Sequence, residues 1–149
     1  MHRELGYPGR AIADPDLPST GLTITTLRRD PSQMYPESEI LFPPRCIPQL
    51  RNLRGPEWVK LIDHLSSIPD GHEDVLGFSL MMVRLGSCLT CDLDSYRASL
   101  GCCTCARRSI SGFKGSDRDL IHQFEEAREE VRVYLASDQI PGPISALVK

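Results

Sequence analysis

Apolar residues recur at helical spacing from about residue 55 onward and at no regular spacing before it. Trp58, Leu61, Ile62 and Leu65 fall at i, i+3, i+4 and i+7, one face of a helix. Pro56 suits its first turn, where the missing N–H would be unpaired anyway. Pro69, Asp70 and Gly71 form a turn that ends it. A second helix is predicted over 72–85. Val75, Leu76, Phe78, Leu80, Met81, Met82, Val83 and Leu85 surround it on nearly all sides, so it reads as the buried central element. A third helix fits 92–100, broken by Gly101, and a short fourth fits 106–113. The last has the sharpest start: Ser116 followed three residues later by Asp119, a capping box. Leu120, Phe124, Ala127, Val131 and Tyr134 then draw one apolar stripe along a charged helix, stopped by Pro141 and Pro143.

Residues 1–54 carry eight of the twelve prolines and keep no helical period. Proline fixes its own backbone and biases the preceding residue away from helix. An extended Pro-rich arm is expected, with 22–27 as a candidate strand because apolar and polar residues alternate there. The arm holds too many apolar residues for a purely solvated linker, and 40–53 is expected to pack down. The fold class that follows is all-α. A small helical domain at 55–137 contains a cysteine knot, an extended N-terminal arm precedes it, and a loose tail follows at 138–149.

Composition adds boundaries. With 40% hydrophobic and 25% charged residues, the chain has an ordinary globular balance. A formal charge of -3 offers no overall attraction to nucleic acid or anionic membrane. The apolar run 75–85 is interrupted by Gly77, Ser79 and Arg84 and is too short to span a bilayer. The first residues lack the apolar stretch of a signal peptide. A cytoplasmic location is expected on these observations, and there paired cysteines favour metal or redox chemistry over structural disulfides.

The chemistry is concentrated between 88 and 105, which holds five of the six cysteines. Cys88/Cys91 and Cys102/Cys105 are two Cys-x-x-Cys pairs separated by ten residues. Four thiolates at this spacing suit one tetrahedral ion, and soft sulfur donors favour Zn2+ in a structural site. The same four ligands also suit a 4Fe-4S cluster. A third reading is a redox dithiol, with Cys88 as attacking thiol and Cys91 as its resolving partner. Gly86 and Gly101 precede the pairs and give the backbone room to fold around an ion. Each pair is also expected at a helix N-terminus, whose partial positive charge favours thiolate. Arg84, Arg97, Arg107, Arg108, Lys114 and Arg118 crowd the run against Asp92, Asp94 and Asp117, and read as cations offsetting a thiolate centre. Tyr96 is the lone aromatic among them, so a base-stacking platform and a nucleic-acid partner are disfavoured.

An apolar helix running into Cys-x-x-Cys ahead of another helix resembles the alkylhydroperoxidase D and carboxymuconolactone decarboxylase superfamily over residues 72–113. That resemblance implies an all-helical redox scaffold with Cys88 and Cys91 as the reactive pair. In the family's redox members the motif continues to a histidine four residues beyond the second cysteine. Here that position is Ser95, and the pair Cys102/Cys105 has no counterpart, so the peroxidatic proton relay is not implied.

The remaining candidates read blandly. Cys103 is expected as a small buried filler and Cys46 as a lone loop cysteine. His64, His72 and His122 sit at polar helix edges without ligand spacing to the cysteines and read as surface or capping residues. No phosphate loop, nucleophile elbow or His-Glu-x-x-His helix is present. The expected function is therefore metal binding, with structural zinc at Cys88, Cys91, Cys102 and Cys105. The surrounding protein would be an accessory or interaction protein that engages a protein partner through its arm or a helical face. A thiol oxidoreductase and an iron–sulfur electron carrier are the alternatives.

Overall fold

The structure, a computed structural model, describes residues 39–145. Residues 1–38, with the predicted strand at 22–27, and the last four residues lie outside the described part. Among the described residues the chain is all helical, with no strand. A 3-10 helix, Pro44–Leu53, precedes α1 (Pro56–Ser66) and α2 (Glu73–Leu85). One 3-10 turn, Cys88–Thr90, leads to the one-turn α3 (Tyr96–Ser99), then α4 (Cys102–Gly112), α5 (Asp117–Leu135) and the one-turn α6 (Gly142–Ser145). No helix among the described residues is long and apolar enough to cross a membrane.

The four longer α-helices begin for identifiable reasons. Pro56 occupies the first turn of α1. The ring nitrogen Nδ1 of His72 accepts the Asp74 N–H at the start of α2. Gly101, at φ 87°, turns the chain into α4 through a backbone region open mainly to glycine. Ser116 and Asp119 complete the capping box of α5, each side chain accepting the other's backbone N–H.

α2 and α5 form the centre. They approach most closely at Gly77, where an added Cβ would stand 2.6 Å from the Cα of Arg128. Phe78 packs against Trp58, Phe42 and Phe124, with ring centroids 5.8, 6.1 and 6.2 Å away. Ile62, Leu65, Val75, Met81, Met82, Ile110, Leu120 and Ala127 complete the core. Ion pairs ring the crossing: Arg132 with Glu73, Arg84 with Glu130, and Arg128 with Asp74. The α5 stripe expected from sequence is buried at Leu120, Phe124 and Ala127, but Tyr134 is exposed because the last turns of the helix run past the core.

The segment before α1 packs down, as expected for 40–53, but as a 3-10 helix and not as an extended arm. Residues 44–53 are a 3-10 helix, and Cys46, Ile47 and Leu50 are buried, as is Phe42 just before it. The core therefore reaches across the predicted boundary at 54/55. The short 3-10 repeat accommodates Pro48 while turning these side chains inward. Trp58 donates its indole N–H to the Leu50 carbonyl at 2.9 Å, which satisfies both groups in the buried interior. Arg54 ends the segment by donating to the carbonyls of Ile110 at 2.8 Å and Phe113 at 2.6 Å, at the end of α4.

Cys46 and Cys103 are joined by a disulfide, with Cα atoms 5.0 Å apart across a sequence separation of 57. This corrects the reading of Cys103 as filler and Cys46 as an isolated loop cysteine. Packing of the 3-10 helix on α4 is what brings them together. Closing a loop of this length removes about 4 kcal/mol of conformational entropy from the unfolded chain in the loop-entropy description.

Candidate functional site

Once Cys46 and Cys103 are bonded, the free cysteines are Cys88, Cys91, Cys102 and Cys105, the four of the two Cys-x-x-Cys pairs. All four line one cavity of about 30 Å³ at the end of α2. Glu39, Ile40, Phe42, Met82, Gly86, Leu93, Arg97 and Ala98 also line it.

Local backbone chemistry delivers each pair differently. α2 ends at Gly86, where an added Cβ would stand 3.0 Å from the Met82 carbonyl oxygen and 3.4 Å from the Cys88 sulfur. A side chain there would crowd the site. Ser87 then takes φ 51°, a left-handed conformation uncommon for a residue with a Cβ, and reverses the chain into the Cys88–Thr90 turn. Cys91 follows that turn in extended conformation. The first pair thus lies on a single 3-10 turn and not at a helix N-terminus, which corrects one sequence expectation. The second pair meets it: Cys102 opens α4, and Cys105 stands one turn on, its N–H donating to the Gly101 carbonyl. α3 is shorter than predicted because Asp92 and Ser95 use their side chains for local turns. Asp92 accepts the Asp94 N–H, and Ser95 caps α3 by accepting the Ala98 N–H at 3.2 Å. Ser95 is therefore a helix cap.

Three of the four sulfurs have an N–H donor. The Glu39 N–H lies 3.1 Å from the Cys102 sulfur, and the Glu39 carbonyl oxygen is 3.6 Å from the same sulfur. Cys102 thus has a partner either as thiolate or as thiol. The Phe42 N–H is directed at Cys88. Arg97 donates from Nε to Cys105 at 3.1 Å and from a second nitrogen to the Gly86 carbonyl oxygen. At Cys88 the Phe42 N–H favours the anionic form. Burial acts oppositely on Cys88: it pushes the thiol above its ordinary value, and the neighbouring Cys105 and Cys102 add to the effect, while Phe42 and Arg97 oppose it.

The four thiols share the cavity without being gathered into a cage. No group of three or more His, Cys, Asp or Glu side chains stands at metal-holding distance among the described residues. Cys102 lies against the Glu39 N–H, Cys88 against that of Phe42 and Cys105 against Arg97. Of the six cations expected around the knot, Arg97 touches a sulfur, and Arg108 lines a groove with Cys105 and Tyr96. Arg84 is turned to Glu130, with two contacts of 2.7 Å. The three described histidines do not line the cavity. His64 contacts Asp74 at 2.9 Å, His72 caps α2, and His122 lies 3.6 Å from Glu126.

Sequence reasoning did not single out Glu39 or Phe42, because both contribute backbone N–H groups from a distant segment. Ile40, Leu41, Leu89, Leu93 and Tyr96 are exposed large apolar side chains on the segments that carry the cavity's lining residues. Comparison with protein-family models, with curated proteins and with solved structures finds no match to the chain.

Proposed function

We propose that Cys88, Cys91, Cys102 and Cys105 hold one divalent metal ion, zinc by the preference of four soft sulfur donors, and that this ion clasps the end of α2 to the start of α4. The observation that carries the reading is the sorting of the six cysteines. Two are spent in a disulfide, and the four with ligand spacing line one cavity that is supplied with N–H donors. Loading requires the four side chains to swing from their present donors onto a common centre. The N–H groups of Glu39 and Phe42 and the Arg97 guanidinium then remain as outer partners that offset the thiolate charge. The segments around the site are short, a 3-10 turn and a one-turn helix, so the ion would contribute directly to folding free energy there.

The wider role is that of an accessory protein. The exposed apolar residues Leu89, Leu93 and Tyr96 beside the clasp suit a protein partner, and the ion would fix their arrangement. Elemental analysis with a visible spectrum on protein purified without oxygen tests the reading. One zinc per chain in colourless protein, lost on Cys102→Ser, is the expected result. Brown protein carrying iron would replace zinc by a cluster on the same ligands. Metal-free protein that reduces disulfides, and loses this activity on Cys88→Ser, would establish the oxidoreductase alternative instead.

A further inference from the structure

The disulfide and the thiol cavity are connected through one short strap, residues 39–46. At one end Cys46 is bonded to Cys103, which lies in the first turn of α4 between Cys102 and Cys105. At the other end, Glu39 and Phe42 supply the N–H donors to Cys102 and Cys88 and line the cavity. Arg45 joins the two ends. Its Nη1 lies 3.6 Å from the Cys103 sulfur, and its Nε donates to the Glu39 carboxylate at 2.8 Å.

The anchors along this segment are unequal. From Ile47 onward the chain is held independently, by burial of Ile47 and Leu50 and by the Trp58 hydrogen bond to the Leu50 carbonyl. Before Cys46, Phe42 is the large buried apolar side chain, while Ile40 and Leu41 are exposed. The disulfide is therefore the covalent anchor of the half of the segment that faces the thiols, beside the packing of Phe42 on Phe78, and the remainder is held by its own burial.

We propose that the Cys46–Cys103 disulfide is a redox latch that sets whether the strap covers the four-thiol cavity. A dithiol reductant donates two electrons and two protons. The sulfur–sulfur bond breaks, Cys46 and Cys103 become thiols, and the reductant becomes a disulfide. The strap then loosens, withdraws the Glu39 and Phe42 donors from Cys102 and Cys88, and opens the cavity. Both partners of the bond are buried, Cys46 completely, so the closed form persists until the strap opens transiently to a reductant. The consequence for metal rests on the zinc reading above; the effect on thiol accessibility does not.

The test uses the full chain, oxidised, reduced with a phosphine, and as Cys46→Ser. Alkylation of Cys88 and Cys102 is followed by mass spectrometry, and Trp58 emission reports the core. Reduction and Cys46→Ser are expected to speed labelling at both positions by about tenfold, the signature of local opening, with Trp58 emission unchanged. Zinc affinity is expected to fall by about tenfold in parallel, the usual effect of losing outer partners. Unchanged labelling overturns the latch, and so does labelling that rises only when Trp58 becomes exposed. Zinc that binds neither form refutes the metal reading and leaves the labelling rates to decide the latch.

Discussion

Arg97 and Cys105 are hydrogen-bonded, guanidinium Nε to sulfur, at 3.1 Å, while a second nitrogen of the same guanidinium holds the carbonyl of Gly86. One side chain from α3 thereby links the chain before the first cysteine pair to the second pair. Arg97→Gln keeps a donor but loses the charge and the fork, and Arg97→Lys keeps the charge but not the fork. Because Arg97 is exposed, the loss is discounted to about 1 kcal/mol, or roughly fivefold in zinc affinity. Competition titration against a chelator checks this. Equal affinities in all three proteins would remove Arg97 from the site.

The crossing of α2 and α5 depends on Gly77. An added methyl group would meet the Arg128 Cα at 2.6 Å, and a backbone atom cannot yield as a side-chain tip can. Gly77→Ala is expected to destabilise the fold by about 1–3 kcal/mol, the usual cost of overpacking a tight core. Urea unfolding followed by helical circular dichroism gives the shift. A neutral result would mean that the helices are free to separate at this point.

Arg54 closes the C-terminal end of α4 by donating to the carbonyls of Ile110, Phe113 and Gly115, and it meets Asp117 at 3.5 Å. Its side chain is mostly buried, so removal strands carbonyls that water reaches poorly. Arg54→Ala is expected to cost about 2–3 kcal/mol of unfolding free energy, and Arg54→Lys most of that, since an ammonium cannot span the same acceptors. Thermal unfolding of the two variants side by side distinguishes geometry from charge.

The capping box of α5 has a pH signature. Hydrogen bonds from the Ser116 hydroxyl and backbone N–H hold the Asp119 carboxyl below its ordinary value. A group lowered on folding contributes stability above its unfolded value, and that contribution is lost as pH falls through the lowered folded value. The acid limb of the stability profile below about pH 4 is therefore expected to flatten in Asp119→Asn. Ser116→Ala should cost about 1 kcal/mol near neutrality. An unchanged acid limb in Asp119→Asn would show that other carboxylates govern acid unfolding.

Much of the architecture was legible in the chain because it is written in local pattern. The i, i+3, i+4 repeat of Trp58, Leu61, Ile62 and Leu65 places α1, and the Ser116–Asp119 pair sets the start of α5. The dense apolar run into Gly86 marks α2 as the core helix, and Cys-x-x-Cys spacing selects the four cysteines that the structure leaves free. Each of these features is decided within a few residues, by helix periodicity, capping or ligand spacing.

Tertiary structure decided what depends on distant segments. Pro44, Pro48 and the absence of a period concealed a 3-10 helix, because its stability comes from burying Cys46, Ile47 and Leu50 against α1 and α4 and not from local propensity. The same packing pairs Cys46 with Cys103 across 57 residues, a partnership that no spacing rule reveals. It also brings the N–H groups of Glu39 and Phe42 to Cys102 and Cys88, and backbone donors leave no trace in side-chain identity. The sequence by itself determined a helical protein with four cysteines at ligand spacing. Only the folded chain decided which cysteines are free, which two are bonded, and which distant backbone groups lie against the free sulfurs.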